Sequence, residues 1–341
     1  MKTLTFGELM LRLSPPGFER LLQSPVLQAT FGGGEANVAA SLAHFGVDSY
    51  YVTRLPDAAI GDAAIRALRA EGIRTDHIVR GGDRVGIYFA ETGASQRAST
   101  VLYDRGHSAI AGIEAGMVEW ARVLDGVDWF HSTGITPALG PGPAAAFREA
   151  LAGAKACGAR VSVDLNYRAK LWTRAEAGRV MRPLMGQVDV LIANEEDIQA
   201  VLGVEVTDTD VTAGVLNVDG YRAVAERLAS DYGFQMVAIT LRESLSASDN
   251  GWSAVLYERG NGTFHQSQRY EVRLVDRIGG GDSFAAGLIY ALGTGRPASG
   301  ALRFAVAASA LKQTIPGDFN RVSAAEVDQL ARGDASGRVQ R

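Results

Sequence analysis

Residues Asp276–Phe284 read DRIGGGDSF: three consecutive glycines, then a carboxylate, at the mouth of the helix-like run AAGLIYALG. The first turn of a helix carries N–H groups without partners, and the macrodipole puts partial positive charge there. Glycines leave that backbone open, so an anion can approach with no Cβ in its way. An oxyanion hole for charge developing on a transferred phosphoryl group has this form. Asp282 is expected to project into the same space. A carboxylate beside an anion site is repulsive unless it has a task, and accepting the proton of an alcohol is the task that suits phosphoryl transfer. The alternative is a plain helix cap, and the stretch alone does not separate the two.

Other candidate chemistry is thinner. The chain has no G-x-x-x-x-G-K-[ST] loop. GPGPAA (Gly140 to Ala145) and GTGRPA (Gly293 to Ala298) match a dinucleotide fingerprint only superficially, because proline removes an amide donor that a pyrophosphate would need. The five histidines are scattered without metal-ligand spacing and read as structural. The one cysteine, Cys157, lies in AAAFREALAGAKACG and is expected to pack in the core, where free cysteines usually sit.

These residues must be held by something, and the pattern says what. Strand-like runs (TLTFGELML, SYYVTRL, DWFHST, RVSVDLN, DVLIAN, QMVAITL) alternate with helical ones (EANVAASLAHFG, AAIRALRAEG, PAAAFREALAGAKACG, EEDIQAVLG, DGYRAVAERLASDYG, DSFAAGLIYALG, ASGALRFAVAASALKQ). Such alternation predicts an α/β fold with a parallel sheet covered on both faces. Ligands then bind beyond the carboxyl ends of the strands. That directs attention to Asp164–Arg168, Asn194–Asp197, Thr240–Glu243 and Gly279–Asp282. The stretch from Ile78 to Arg105 breaks the rhythm with more polar, alternating strands and Gly/Ser turns. It predicts a small antiparallel excursion, joined by LMLRLSPPG, that could cover a cleft as a lid.

Bulk properties exclude several classes. The chain has 341 residues, 47% of them hydrophobic, enough for a large core. A net charge of −4 without a basic cluster gives no footprint for nucleic acid or an anionic membrane surface. No apolar run approaches the ~20 residues of a membrane span, and the N-terminus has no signal-peptide pattern. A single cysteine allows no internal disulfide and fits a reducing cytoplasm.

The segment DRIGGGDSFAAG resembles the D-x-x-G-A-G-D signature of the ribokinase-like (PfkB) carbohydrate kinases, with Gly280 where alanine is usual. A second family motif, a glycine pair followed by Asn and a small-residue helix, matches GGGEANVAASLAHFG about 240 residues earlier. The resemblance runs from Thr3 to Leu330. It implies one kinase domain over residues 1–341: a Rossmann-like, mostly parallel sheet flanked by helices, with a small β lid built from parts of 8–32 and 78–105. It implies ATP as donor and Mg2+ as its counter-ion. Asp282 matches the general base, and Gly279, Gly280 and Gly281 the anion hole. Asn166, Asn194, Thr240 and Arg242, with Gly279 and Gly281, fall on nucleotide-binding positions. Asp197 stands where the N-x-x-E motif has a magnesium-associated Glu, and TLRES replaces the usual K-x-G-x-x-G nucleotide loop. Asp276, Ile278 and the Thr314–Gly317 loop fall where family members bind a monovalent cation such as K+ through carbonyl oxygens.

Within the family, VLYDRG, DLNYRAKLW, GGGEAN and TIPGDFN look like the 2-keto-3-deoxygluconate kinases. A neutral sugar needs no arginine, whereas a guanidinium pairs a sugar carboxylate with two parallel hydrogen bonds. By that resemblance Gly34, Asn37, Tyr88, Tyr103, Arg105 and Arg168 hold a sugar acid beside Asp282. The arginines could instead serve surface ion pairs or the ATP phosphates. The competing readings are a fructokinase or another keto-sugar kinase, and a non-catalytic sugar-binding regulator for which an intact Asp282 has no use. A homo-oligomer formed through the lid is expected by analogy alone.

Overall fold

The computed structural model describes residues 1–205 and 218–333. Short β-branched and aromatic runs form its strands, and Asp48–Val52, Lys2–Phe6, Trp129–Thr133, Arg160–Asp164, Val190–Asn194 and Met236–Ser244 lie side by side in that order, all parallel. Nearly every residue of Trp129–Thr133 and Val190–Asn194 is buried. That is why these strands read as continuous apolar runs instead of alternating ones.

The far edge departs from the expected alternation. Asp249–Glu258 returns antiparallel against Met236–Ser244, and Thr263–Gln266 and Tyr270–Arg273 pair with its two halves, completing a nine-stranded sheet. A tight turn closed by Ser246 N–H donating to Asp249 O (3.0 Å) makes the return possible without a helix.

Helices cover both faces. Pro141–Ala156, Arg174–Met181 and Val218–Tyr232 bury Phe147, Met181 and Tyr221 on one side. Gly34–His44, Gly280–Gly293, Ala298–Lys312 and Ala324–Ala331 bury Leu42, Phe284, Phe304 and Val327 on the other. The small residues of AAGLIYALG have a packing reason. A Cβ on Gly287 would lie 2.8 Å from the Cα of Ala305, so the two helices meet at backbone distance only because that atom is absent. The run EEDIQAVLG forms a short α turn, Glu195–Asp197, that widens into π geometry over Ile198–Leu202.

A separate sheet orders Gln28–Gly32, Met10–Ser14, Gly86–Glu91 and Thr100–Asp104. It is not wholly antiparallel as expected, because Met10–Ser14 and Gly86–Glu91 run parallel. The chain between them passes through the large sheet, and a connection of that length permits parallel pairing. The run TLTFGELML is not one strand either. It breaks at Gly7, where a Cβ would fall 2.0 Å from the buried Glu35 carboxyl carbon, and its two halves enter different sheets.

Cys157 is exposed at the C-cap of Pro141–Ala156 and not buried in the core, because the helix ends one residue before it. Among the described residues no helix is long and apolar enough to cross a membrane. The strand order reverses between Lys2–Phe6 and Trp129–Thr133, so the ligand crevice is expected above their carboxyl ends.

Candidate active site

A cavity of about 670 Å3 opens at that place, between the carboxyl ends of the parallel strands and the inner face of the small sheet. It is lined by every expected site residue except Asp276 and the Thr314–Gly317 loop.

Its floor is the start of the Gly280–Gly293 helix. Gly279 is the N-cap, with φ 82°, and a Cβ there would come 2.1 Å from the carbonyl oxygen of Asp318, so both backbone shape and contact demand glycine. Gly280 N–H donates to Arg277 O at 3.3 Å, and its carbonyl accepts from Ser309 Oγ at 2.7 Å. The N–H groups of Gly281 and Asp282, in the first turn, are left to meet an anion. A Cβ on Gly281 would touch nothing within 4 Å, so the space it would take is open cavity. Gly281→Ala is therefore expected to leave the melting temperature unchanged and to lower kcat about tenfold, by displacing a phosphoryl group from the amides. Steady-state rates measured beside a melting curve check this.

Asp282 is the third residue of this helix, and Asn37 Nδ2 donates to its Oδ2 at 2.7 Å. Burial pushes the carboxyl up to about 7; the Asn37 bond opposes this, the Asp318 and Glu35 carboxylates add to it, and Arg168 opposes it. A base poised near neutrality is what proton abstraction from an alcohol needs. The other oxygen, Oδ1, lies 3.6 Å from where a Gly34 Cβ would be, with Thr133 Cγ2 and Asn166 Nδ2 at 3.5 and 3.8 Å from the same point. The bare backbone of Gly34 thus leaves a slot beside the base. Asn166 borders this slot, in left-handed backbone geometry (φ 40°) that asparagine tolerates, with its N–H donating to Asp164 Oδ1 at 3.1 Å.

On the small-sheet side stand Tyr88, Tyr103 and Arg105. The Tyr88 hydroxyl donates to Asp318 Oδ2 at 2.5 Å, and its ring faces Tyr103 with centroids 6.0 Å apart. Arg105, just past the Thr100–Asp104 strand, is well buried. Its side chain is 10% exposed, its Nη1 is 3.4 Å from Glu8 Oε2, and its guanidinium lies 4.2 Å from the Tyr103 ring centroid. Glu8 is buried without a hydrogen bond to either oxygen, and burial raises its carboxyl to about 7 despite Arg105. Arg168, across the cavity, donates to Tyr167 O at 3.0 Å and forms no ion pair among the described residues.

The opposite end holds carboxylates and cations. Burial raises Asp197 to about 6, with Arg168 opposing. Burial also lifts Asp164 well above the ordinary range, with Asp197 and Asp282 adding repulsion. Asn194, exposed at the strand end, caps the turn that follows: Oδ1 accepts from Asp197 N–H at 2.8 Å and Nδ2 donates to Asp197 Oδ2 at 3.0 Å, so it holds Asp197 in place. Thr240, midway along Met236–Ser244, and Arg242, two residues on, line the wall. Sequence reasoning missed Arg277, Asn250 and Trp252, which also line it. Arg277 sits inside the quoted motif, and its guanidinium is drawn down by burial and by the like charge of Arg242. Asn250 and Trp252 lie on the strand that the alternation did not reveal, and their side-chain nitrogens are buried without partners.

Asp276 does not join the cavity as a cation ligand. Its carboxylate pairs with Arg12 Nη2 at 2.6 Å and accepts from the N–H groups of Ile278 (3.1 Å) and Gly317 (3.0 Å). Arg12 also pairs with Asp318 at 2.7 Å, tying the small sheet to the loop under the helix start. The carbonyls of Asp276, Ile315 and Gly317 accept from Lys312 Nζ. Where the sequence resemblance implied K+ among carbonyl oxygens, the Lys312 ammonium stands against three of them.

Residues 2–322 match the model of the pfkB family of carbohydrate kinases. A crystal structure of 2-dehydro-3-deoxygluconokinase from Thermotoga maritima is 52% identical and superposes with a TM-score of 0.94, covering 98% of this chain and all of that one. A 2-dehydro-3-deoxygalactonokinase of Haloferax volcanii is 33% identical over 335 residues, 98% of this chain and 97% of its own. An Escherichia coli chain solved in complex with ATP and Mg2+ is only 18% identical and shares the fold alone, with a TM-score of 0.75 over 97% of this chain and 99% of that one.

Proposed function

The chain belongs to the pfkB family of carbohydrate kinases, and we propose that it transfers the γ-phosphoryl of ATP to the 6-hydroxyl of 2-keto-3-deoxygluconate, with Asp282 as general base. The observation that carries this reading is the slot between Gly34 and Asp282 Oδ1, in a cavity that Gly281, Arg105 and Arg168 also line. A primary hydroxyl in the slot gives its proton to Asp282 while its oxygen attacks the γ-phosphorus. The bond from that phosphorus to the β,γ-bridging oxygen breaks, and ADP leaves with the electron pair. The amides at the helix start stabilise charge on the transferred group. Arg168 and Arg105 hold the sugar carboxylate, with Tyr88 and Tyr103 against the sugar.

The nucleotide occupies the end bounded by Asn166, Asn194, Thr240, Arg242 and Arg277, with its base towards Asn250 and Trp252. Mg2+ bound with the nucleotide supplies neutralisation of phosphate charge. Asp164 and Asp197 fit it, because their carboxyls repel one another and a hard cation favours such oxygen ligands. The whole chain acts as one cytoplasmic kinase unit with the small sheet as its lid. Phe18, Leu22, Val26 and Leu102 are exposed around that sheet, an apolar surface suited to pairing with a second lid. Sedimentation of the purified protein tests the pairing.

The function is tested by following ADP release with 2-keto-3-deoxygluconate, its galactonate-derived epimer, fructose, or no sugar. The reading expects turnover on the acids, far less on fructose, and none without sugar. Preference for fructose would make it a fructokinase; saturable sugar binding without ADP release would make it a regulator.

A further inference from the structure

Lys312 ends the Ala298–Lys312 helix, and its side chain is fully buried. Its Nζ meets no carboxylate within ion-pair distance among the described residues. It donates to three backbone carbonyls: Gly317 O at 2.6 Å, Asp276 O at 3.2 Å and Ile315 O at 3.2 Å. An ammonium carries three donors and no acceptor, so these three oxygens satisfy it in full, whereas a neutral amine would leave one unfilled. Burial pulls this ammonium below the ordinary lysine range, and the Asp276, Asp318 and Asp282 carboxylates oppose that pull while Arg12 adds to it. Carbonyl oxygens converging on one point are also what a protein offers a dehydrated monovalent cation.

The position matters to the chemistry. The side chain passes beneath the helix start, with Cε 3.1 Å from where a Gly279 Cβ would be. Its three acceptors belong to the segment leading into Gly279 and to the loop after the Ala298–Lys312 helix. That loop continues into Asp318, whose carbonyl abuts Gly279, while Gln313 lies against Gly280. The ammonium therefore clamps together the two backbone segments on which the anion hole rests.

We propose that Lys312 is a built-in monovalent cation: its tethered ammonium takes the place among the Asp276, Ile315 and Gly317 carbonyls that K+ would otherwise fill, positions the Gly279–Gly281 turn, and makes this kinase indifferent to monovalent salts. The inference rests on reading that turn as the phosphoryl site.

The test starts with the wild-type protein. Initial rates with Mg2+ and ATP, prepared as tetramethylammonium salts, are compared in potassium, sodium, ammonium and tetramethylammonium chloride at matched ionic strength. They are expected to agree within about twofold, the residue of screening differences. Ligand-free melting temperatures are expected to be equal in potassium and tetramethylammonium. Activation of about tenfold by K+, or a melting temperature raised by K+, overturns the proposal. Lys312→Ala is expected to lose about tenfold or more in kcat with little change in KM, because the turn is displaced while the sugar pocket is not. Part of that loss is restored by K+, ammonium or methylammonium, which also raise the variant's melting temperature. Lys312→Met, which fills the space without charge, is expected to stay low in every salt. An alanine variant as active as wild type, or one that no small cation restores, sinks the idea. If that variant does not fold, the wild-type series decides. The melting series needs no sugar, so its outcome is separable from the fate of the sugar-acid reading.

Discussion

Asp282→Asn is expected to lower kcat by about 10²–10⁴-fold, the range for loss of a positioned general base, while ATP affinity stays near normal. Asparagine keeps the shape, the helix position and an oxygen for the Asn37 amide, but it cannot take a proton. Near wild-type turnover in the variant would remove Asp282 from the mechanism.

The same burial that poises this base leaves a signature in pH. With the carboxyl near 7 in the free protein, kcat/KM should rise about tenfold per unit up to that point and then level. The residual activity of Asp282→Asn should lack this limb. Asp197 and Asp164 titrate in the same cavity, so the apparent value belongs to the cluster. Stability should move the other way. The folded-state pKa lies above the unfolded one, so the folded protein binds the extra proton between about 4 and 7 and loses stability as pH rises through that window. Above it a buried negative charge is carried at a cost. Asp282→Asn is therefore expected to melt higher than wild type at pH 8, with the gain shrinking towards pH 5. Activity lost and stability gained at one residue is the mark of a site selected for chemistry.

How much of this was legible beforehand depended on whether local sequence carried the signal. The parallel strands were readable because burial on both faces writes them as unbroken apolar runs. The GGGD turn was readable because a left-handed N-cap at Gly279 and open space at Gly281 leave glycine as the fitting residue. The antiparallel edge, Asp249–Arg273, was not, since a hairpin return disturbs the strand–helix rhythm without announcing itself, and Asn250 and Trp252 went unnoticed with it. The surroundings of Arg105 and Asp276 were not readable for a different reason. Their roles are set by Glu8 and Arg12, residues far away in sequence whose only marks are single charges in apolar stretches. Lys312 lay at the end of a helix that sequence drew correctly. Nothing local says that its ammonium, besides the nearby Ile315 and Gly317 carbonyls, also reaches the Asp276 carbonyl 36 residues away.

The two arginines separate a sugar acid from a neutral sugar, and the structure ranks them. Arg168 faces the cavity with no ion pair among the described residues, so its charge is free for a ligand. Removing one partner of a buried charge pair costs about 2–5 kcal/mol, and Arg168→Ala should lose that much in kcat/KM on 2-keto-3-deoxygluconate. Arg105 is already committed to Glu8 and stacked on Tyr103, so it has less charge to give. Arg105→Ala should cost less on the acid and more in stability, because it strands the buried Glu8 carboxyl. The comparison is made at saturating ATP against fructose, which has no carboxylate for either guanidinium to hold. A loss confined to the acid supports the sugar-acid pocket. An arginine that serves the ATP phosphates would penalise both sugars equally and raise the KM for ATP. That result would move Arg168 to the nucleotide, leave the kinase in place and remove Arg168 as the grip on a sugar carboxylate.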